Sequence, residues 1–247
     1  MKSGVVKKLS EIASFKSGGT PSKSNPHFWG GTYPWVSAKD MKSRIITDSL
    51  DHLTSSGFAK AKIAPKNSLL LLVRGMTLYK DVPICLAGKD IAFNQDIKAL
   101  IVSDELSPEY LQYYLISKKE ALLRLVDSAG HGTGRMDTKS LASFSVFIPP
   151  FTEQKAITNF LAIWDSAIEK TERLIAAKKR LYSSLLQTLI NQRCDEWKHL
   201  QFNKIFDTVT EKGKSDSVLL SVTQDCGVIP RSMLKGRVMS PEGSTDL

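Results

Sequence analysis

Cysteine is scarce in this sequence. Cys85, Cys194 and Cys226 are far apart, odd in number and in no CxxC or Cys/His spacing, which argues against a disulfide framework or structural zinc and fits a reducing cytoplasm. The four histidines, His27, His52, His131 and His199, are too scattered to read as metal ligands or members of a nucleophilic triad. Long apolar runs are missing as well. The longest purely aliphatic stretch is Leu69 to Val73, where a membrane span needs about 20 residues, and Met1 to Gly4 leads into no apolar signal core. Neither secretion nor membrane insertion is expected, and cytoplasmic localisation is. Ala129-Gly130-His131-Gly132-Thr133-Gly134 is glycine-rich, but cofactor loops of that kind follow a strand and open a helix. Here the loop is expected to follow a helix. No metal, no cofactor and no catalytic residue is therefore predicted.

What the chain does have is a core and an excess of positive charge. Hydrophobic residues make up 42% of the 247, enough for folded domains. Lysine and arginine number 34 against 25 acidic residues, a formal charge of +9, which points toward a polyanionic partner, nucleic acid first. The charge is uneven: +7 on residues 1–151, +3 on 152–193 and −1 on 194–247.

The runs Leu69 to Val73, Val82 to Leu86 and Ile97 to Val102 are rich in β-formers and bounded by turn residues. Ser107-Pro108-Glu109 reads as a helix start, with apolar residues at helical spacing from Tyr110 to Val126 and Gly130 as its end. Ser145 to Ile148 gives one more strand, stopped by Pro149-Pro150. The fold class is α+β: a mixed, mostly β domain over 1–151, then a long coiled-coil helix over 152–193. With Thr152 as N-cap and no Pro or Gly until Gly213, that helix is expected from about Glu153 to Gln192. Stepping by four and three from Ile157 gives Leu161, Trp164, Ile168, Thr171, Ile175, Lys178, Tyr182, Leu185 and Leu189, a coiled-coil seam broken only at Thr171 and Lys178. At about 60 Å the helix outruns its own domain, so its apolar face is assigned to a helix–helix interface. After Arg193 the sequence resumes an earlier pattern: Phe202-Asn203-Lys204-Ile205 echoes Leu9-Ser10-Glu11-Ile12, and Leu220 to Asp225 echoes Trp35 to Asp40. Residues 194–247 therefore read as the start of a second, truncated copy.

Binding chemistry remains. Lys16, Lys23, Lys39, Lys42, Arg74, Lys80, Arg135 and Lys139 are placed in loops among Trp29, Trp35 and Tyr79, a mix suited to phosphate and base contact. Thr20, Gln95 and His131 complete the DNA-binding candidates. Gln95 suits adenine, whose N6 and N7 an amide matches, whereas Asn94 reads better as a turn residue. Asn25-Pro26-His27-Phe28 is similar to the Asn-Pro-Pro-Tyr motif of amino-methyltransferases, but His27 stands where the second proline belongs.

Together, Val6-Lys7-Lys8-Leu9-Ser10-Glu11-Ile12, Ser17-Gly18-Gly19-Thr20-Pro21, Val36-Ser37-Ala38-Lys39-Asp40-Met41, Ala92-Phe93-Asn94-Gln95 and Ile148-Pro149-Pro150-Phe151-Thr152-Glu153-Gln154 resemble the specificity (S) subunit of type I restriction-modification systems. The resemblance covers residues 5–193 as one target-recognition domain plus spacer helix, and 197–247 as the opening of a second. It implies double-stranded DNA as ligand, and a methyltransferase (modification) subunit and, through it, a restriction subunit as partners that do the chemistry. It also implies two recognition domains joined by antiparallel helices, each reading half of a bipartite site. Only about fifty residues follow Arg193, so a homodimer through the helix is the expectation if the short form is natural. The alternatives are the recognition module of a methyltransferase or nuclease whose catalytic part lies elsewhere, and a coiled-coil scaffold.

Overall fold

Five consecutive apolar residues need two covered faces. The strand Leu69–Leu72 obtains them near the centre of a five-stranded sheet, where all four side chains are inaccessible to solvent. This is seen in a computed structural model, which describes residues 4–129, 133–191, 200–209, 218–223 and 227–233. The sheet runs Ala13–Ser17, Ile97–Val102, Leu69–Leu72, Ile84–Ala87, Ile45–Ile46, antiparallel but for the last pair. A second sheet, Asp51–Leu53, Trp29–Val36, Ile91–Phe93, Ile63–Ala64, closes over Trp35, Leu53 and Ala92. A third, smaller sheet joins the hairpin Val126–Ala129 and Thr133–Met136 to Arg74–Gly75. Chain contacts divide the molecule into residues 1–181 and 182–247. In the second unit Leu220–Thr223 and Gly227–Pro230 form an antiparallel hairpin.

The expected α+β class holds: β-rich domain, long helix. Val5–Lys8 pairs antiparallel with Ser145–Ile148, with Val5 opposite Ile148, so the two ends of the domain lie side by side where Pro149-Pro150 releases the chain. Ser107 caps the helix Pro108–Ser117 as its sequence indicates, its side chain accepting from the Tyr110 N–H. That helix is shorter than the apolar spacing suggests. Lys118 leaves the helical region at φ −108°, ψ 16°; a separate turn Lys119–Leu123 follows, and Val126, β-branched, pairs across a hairpin with Met136. The glycine-rich segment thus follows a strand, not a helix, and Gly130 ends no helix; Gly130, His131 and Gly132 lie outside the described residues.

The long helix spans Phe151–Asn191. Thr152 lies inside it rather than capping it, because the Pro150 carbonyl already accepts the Glu153 and Gln154 N–H groups at 2.8 and 3.0 Å. Ile157, the first seam position, packs against the domain's own core and Leu161 is half-buried. Trp164, Ile168, Ile175, Tyr182, Leu185 and Leu189 are each at least half exposed. The Thr171 hydroxyl donates to the Ala167 carbonyl at 2.8 Å, which satisfies that polar break within the helix itself. In the second unit Phe202–Lys204 makes a single 3-10 turn where Leu9–Ile12 makes one α-turn; Gln224 and Asp225 lie outside the described residues.

Candidate nucleic-acid interface

The turn Phe93–Asp96 carries the chain from one large sheet to the other, and three further segments are tied to it through backbone hydrogen bonds. The Phe93 carbonyl accepts the Gly19 N–H at 2.8 Å, the Asn94 N–H donates to Val36 at 3.0 Å, and the Asp96 carbonyl accepts the Val73 N–H at 2.8 Å. The segments beginning at Ser17, Ser37 and Arg74 therefore converge on one place. Asn94 holds the turn from inside. Buried, it accepts from the Asp96 N–H and donates to the Asp96 carboxylate, both at 3.2 Å. Gly18 makes the approach possible, since a Cβ there would sit 2.0 Å from the Asn94 carbonyl oxygen.

This convergence gathers most of the candidate residues. Thr20 donates its hydroxyl to the Gln95 side-chain oxygen at 2.7 Å, so the Gln95 amide is oriented with its NH2 group left to donate. Lys23 lies 5.9 Å from the centre of the Trp35 ring. Lys39 is exposed on the short turn Ala38–Asp40, fixed where the Asp40 carboxylate accepts from the Ser37 N–H and hydroxyl at 2.8 and 2.9 Å. Arg74 and Arg135 stand directly across the small sheet from each other, both exposed. Tyr79 and Lys80, also exposed, close the 3-10 turn after Arg74. Lys139 opens the short helix Thr138–Ala142, whose cap Asp137 accepts two backbone N–H groups; these bonds, that of Ser140 above all, hold its carboxyl below the usual range.

Several placements differ from the sequence reading. Lys16, Arg74 and Arg135 lie on strands and Lys139 on a helix, not in loops. Trp35 is a core residue, 4% exposed, its indole N–H given to the Gly19 carbonyl at 3.0 Å; a buried ring offers no stacking surface. Trp29 meets it edge-on and donates to the Ser22 carbonyl, bracing the same loop. Asn25 caps the turn Pro26–Phe28 by accepting from His27, which absorbs the methyltransferase-like motif into local structure. Lys62 was not anticipated: it is exposed and its side chain packs beside Gly19. The signal was available only as one more surface lysine.

The arrangement offers exposed cations and one amide donor around a braced turn, with Asp40 and Asp137 already engaged as acceptors. Among the described residues no group of three His, Cys, Asp or Glu side chains comes together. Burial pushes the Cys85 thiol up to about 12, so it is no nucleophile near neutrality. No helix among the described residues is long and apolar enough to cross a membrane.

A family model described as a type I restriction modification DNA specificity domain matches residues 1–179. The specificity subunit of an Escherichia coli type I restriction enzyme is 32% identical over 183 residues, 71% of this chain and 45% of that protein. That of the Methanocaldococcus jannaschii enzyme MjaIX is 28% identical over 174 residues, 68% and 39% respectively. Among solved structures, the S subunit from M. genitalium superposes with a TM-score of 0.53 at 20% identity, covering 77% of this chain and 47% of that one. The HsdS subunit from Thermoanaerobacter tengcongensis gives 0.53 at 19%, covering 76% and 45%. The chain spans less than half the length of these relatives.

Proposed function

The chain belongs to the type I restriction modification DNA specificity domain family, and on that premise we propose that its first 151 residues are one target-recognition domain that reads half of a bipartite duplex DNA site. The observation that carries this reading is the convergence on the Phe93–Asp96 turn, which brings Lys16, Thr20, Lys23, Lys39, Arg74 and Gln95 onto segments braced against one another. Rigid elements carrying exposed cations suit phosphate contact, and an oriented amide suits a base edge. Because Thr20 already donates to the Gln95 oxygen, the amide is held with its NH2 group and one oxygen lone pair free for a base edge. That leaves the adenine pairing expected from sequence open and also suits guanine O6 or N7. Arg135, Lys139, Tyr79 and Lys80 extend the contact beside the small sheet; His131, a further candidate, lies outside the described residues.

The chain itself does no chemistry in this reading; a methyltransferase subunit, and through it a restriction subunit, acts where the domain directs it. If the short form is natural, the exposed face of Trp164, Ile168, Ile175, Tyr182, Leu185 and Leu189 is covered by a second helix of the same kind, from a second copy packed antiparallel about a two-fold axis, which would make the recognised site an interrupted palindrome. Residues 194–247 are the opening of a second recognition domain.

The test is selection of duplexes from a random library by the full chain with a modification subunit, followed by salt titration of the winner. A bipartite consensus is expected, and if six phosphates are neutralised, log K falls against log salt with a slope of about −5. No consensus, or a slope near zero, overturns the reading.

A further inference from the structure

Besides the packing of Ile157 against the core, two sets of polar contacts tie the long helix to the domain. At its base Gln154, fully buried, accepts from the Ser107 N–H at 2.8 Å and donates to the Glu105 and Pro149 carbonyls at 3.1 and 3.0 Å. Eleven residues on, three turns and nearly the same face, Asp165 accepts from the Tyr113 hydroxyl at 2.5 Å and pairs with Arg44 at 3.0 Å. Arg44 also lies 5.3 Å from the centre of the Tyr113 ring. It is itself fixed by the buried Gln112, which accepts from its guanidinium at 3.2 Å and donates to its carbonyl at 2.8 Å. The group thus joins the sheet edge, the Pro108–Ser117 helix and the long helix. Burial, then the bond to Asp165, pushes the Tyr113 phenol up to about 12, so it stays a donor at neutral pH.

Asp165 is the last partly buried residue of the described helix whose burial is given; from Ser166 to Ile190 every residue is exposed. Between the two attachments lies a cleft of about 710 Å³, lined among others by Lys66, Ser103, Lys155 and Asn159. Ser68 and Ser103 line it too, and their hydroxyls are buried without a hydrogen-bond partner. Packing of Ile157 against the core and the burial of Thr158 seat the base of the helix beside this cleft, and beyond Leu161 the polar contacts at Asp165 are the last described ones that bear on its tilt.

We propose that Arg44, Tyr113 and Asp165 are positioning residues that set the angle at which the helix leaves the recognition domain, and through it the spacing between half-sites. The inference rests on the DNA-reading proposal above. From Asp165 to Leu181 is about 24 Å of helix. A tilt of about 8° moves Leu181 by about 3.4 Å, the rise of one base pair. A small loss of angular definition is therefore one step of spacer length.

The experiment uses the full chain with a modification subunit and a duplex library in which the selected half-sites are held at every spacer length. The variants are Tyr113→Phe, which removes a single oxygen, and Asp165→Asn, with Glu169→Gln in the exposed pair one turn further out as control. Wild type and control disfavour a spacer one base pair off by about tenfold; in the two variants the penalty falls to about threefold or less with the half-site bases unchanged. An unaltered spacer profile in both variants overturns the inference, since loss of stability alone lowers all binding equally. If wild type shows no half-site preference, the DNA reading itself falls and this inference with it. A readout independent of DNA is the spin–spin distance between labels at Asp51→Cys and Leu181→Cys, with Cys194 and Cys226 replaced by serine. Tyr113→Phe is expected to broaden it, and an unchanged width refutes the positioning role.

Discussion

Replacing Gln154 by methionine keeps the volume and unbranched shape of a fully buried side chain while deleting all its polar atoms. Three hydrogen bonds vanish and leave the Ser107 N–H and the Glu105 and Pro149 carbonyls without the amide they meet now. A buried group left unpaired costs about 1–3 kcal/mol. Taking the middle of that range for the N–H and the low end for each carbonyl, less some gain from the more apolar side chain, gives a loss of about 3 kcal/mol. For a domain of this size one kcal/mol is about 2–4 °C in melting temperature, so Gln154→Met is expected to melt about 6–12 °C lower in a thermal scan. Glu169→Gln, which removes only an exposed i,i+4 pair with Arg173, should cost under about 0.5 kcal/mol and serves as the reference. A drop below about 2 °C for Gln154→Met refutes the reasoning, because it would mean that water or the backbone re-pairs all three groups.

Other consequences are open to the same kind of test. Gly18→Ala, whose methyl would meet the Asn94 carbonyl at 2.0 Å, should displace the loop carrying Thr20 and Lys23 and weaken DNA binding at least tenfold; retained affinity separates that loop from the interface. Lys39→Ala and Lys80→Ala should weaken all duplexes alike, whereas Gln95→Ala should change base preference at one position, as a selection on each variant shows. Sedimentation should give a dimer at micromolar concentration that Ile168→Asp with Ile175→Asp converts to monomer; a monomeric wild type defeats the paired helix. Tyr110 and Tyr113 both titrate near 12 in the folded chain, raised chiefly by burial from an ordinary 10. Between those values the unfolded chain has lost protons the folded one keeps, so stability falls as pH rises from about 10 to 12. Tyr113→Phe should flatten that fall in denaturant titrations, and an equal slope contradicts it.

Short-range chemistry was legible without the structure. The Leu69 to Val73 run reads as a strand, Ser107-Pro108 as a helix start, and the unbroken stretch after Pro150 with apolar residues every three or four positions as a long helix, and the structure has all three. Family membership was legible too, since motifs such as Ile148-Pro149-Pro150 with Gln154 are local. Even there, neighbours overrode propensity: the apolar spacing through Val126 continues the helical pattern, yet pairing with Met136 wins because the hairpin completes a sheet. What only the tertiary structure decided is which distant residues meet. Trp35 looked like a stacking platform and is core, because its strand is covered by the loop carrying Gly19. Thr20 and Gln95 lie 75 residues apart, and Arg44, Tyr113 and Asp165 come from three separate elements. Periodicity reports which face of an element is apolar; it carries no information on which polar side chain faces another across the fold, and it is that pairing which orients the Gln95 amide against Thr20 and ties Asp165 to Tyr113 and Arg44.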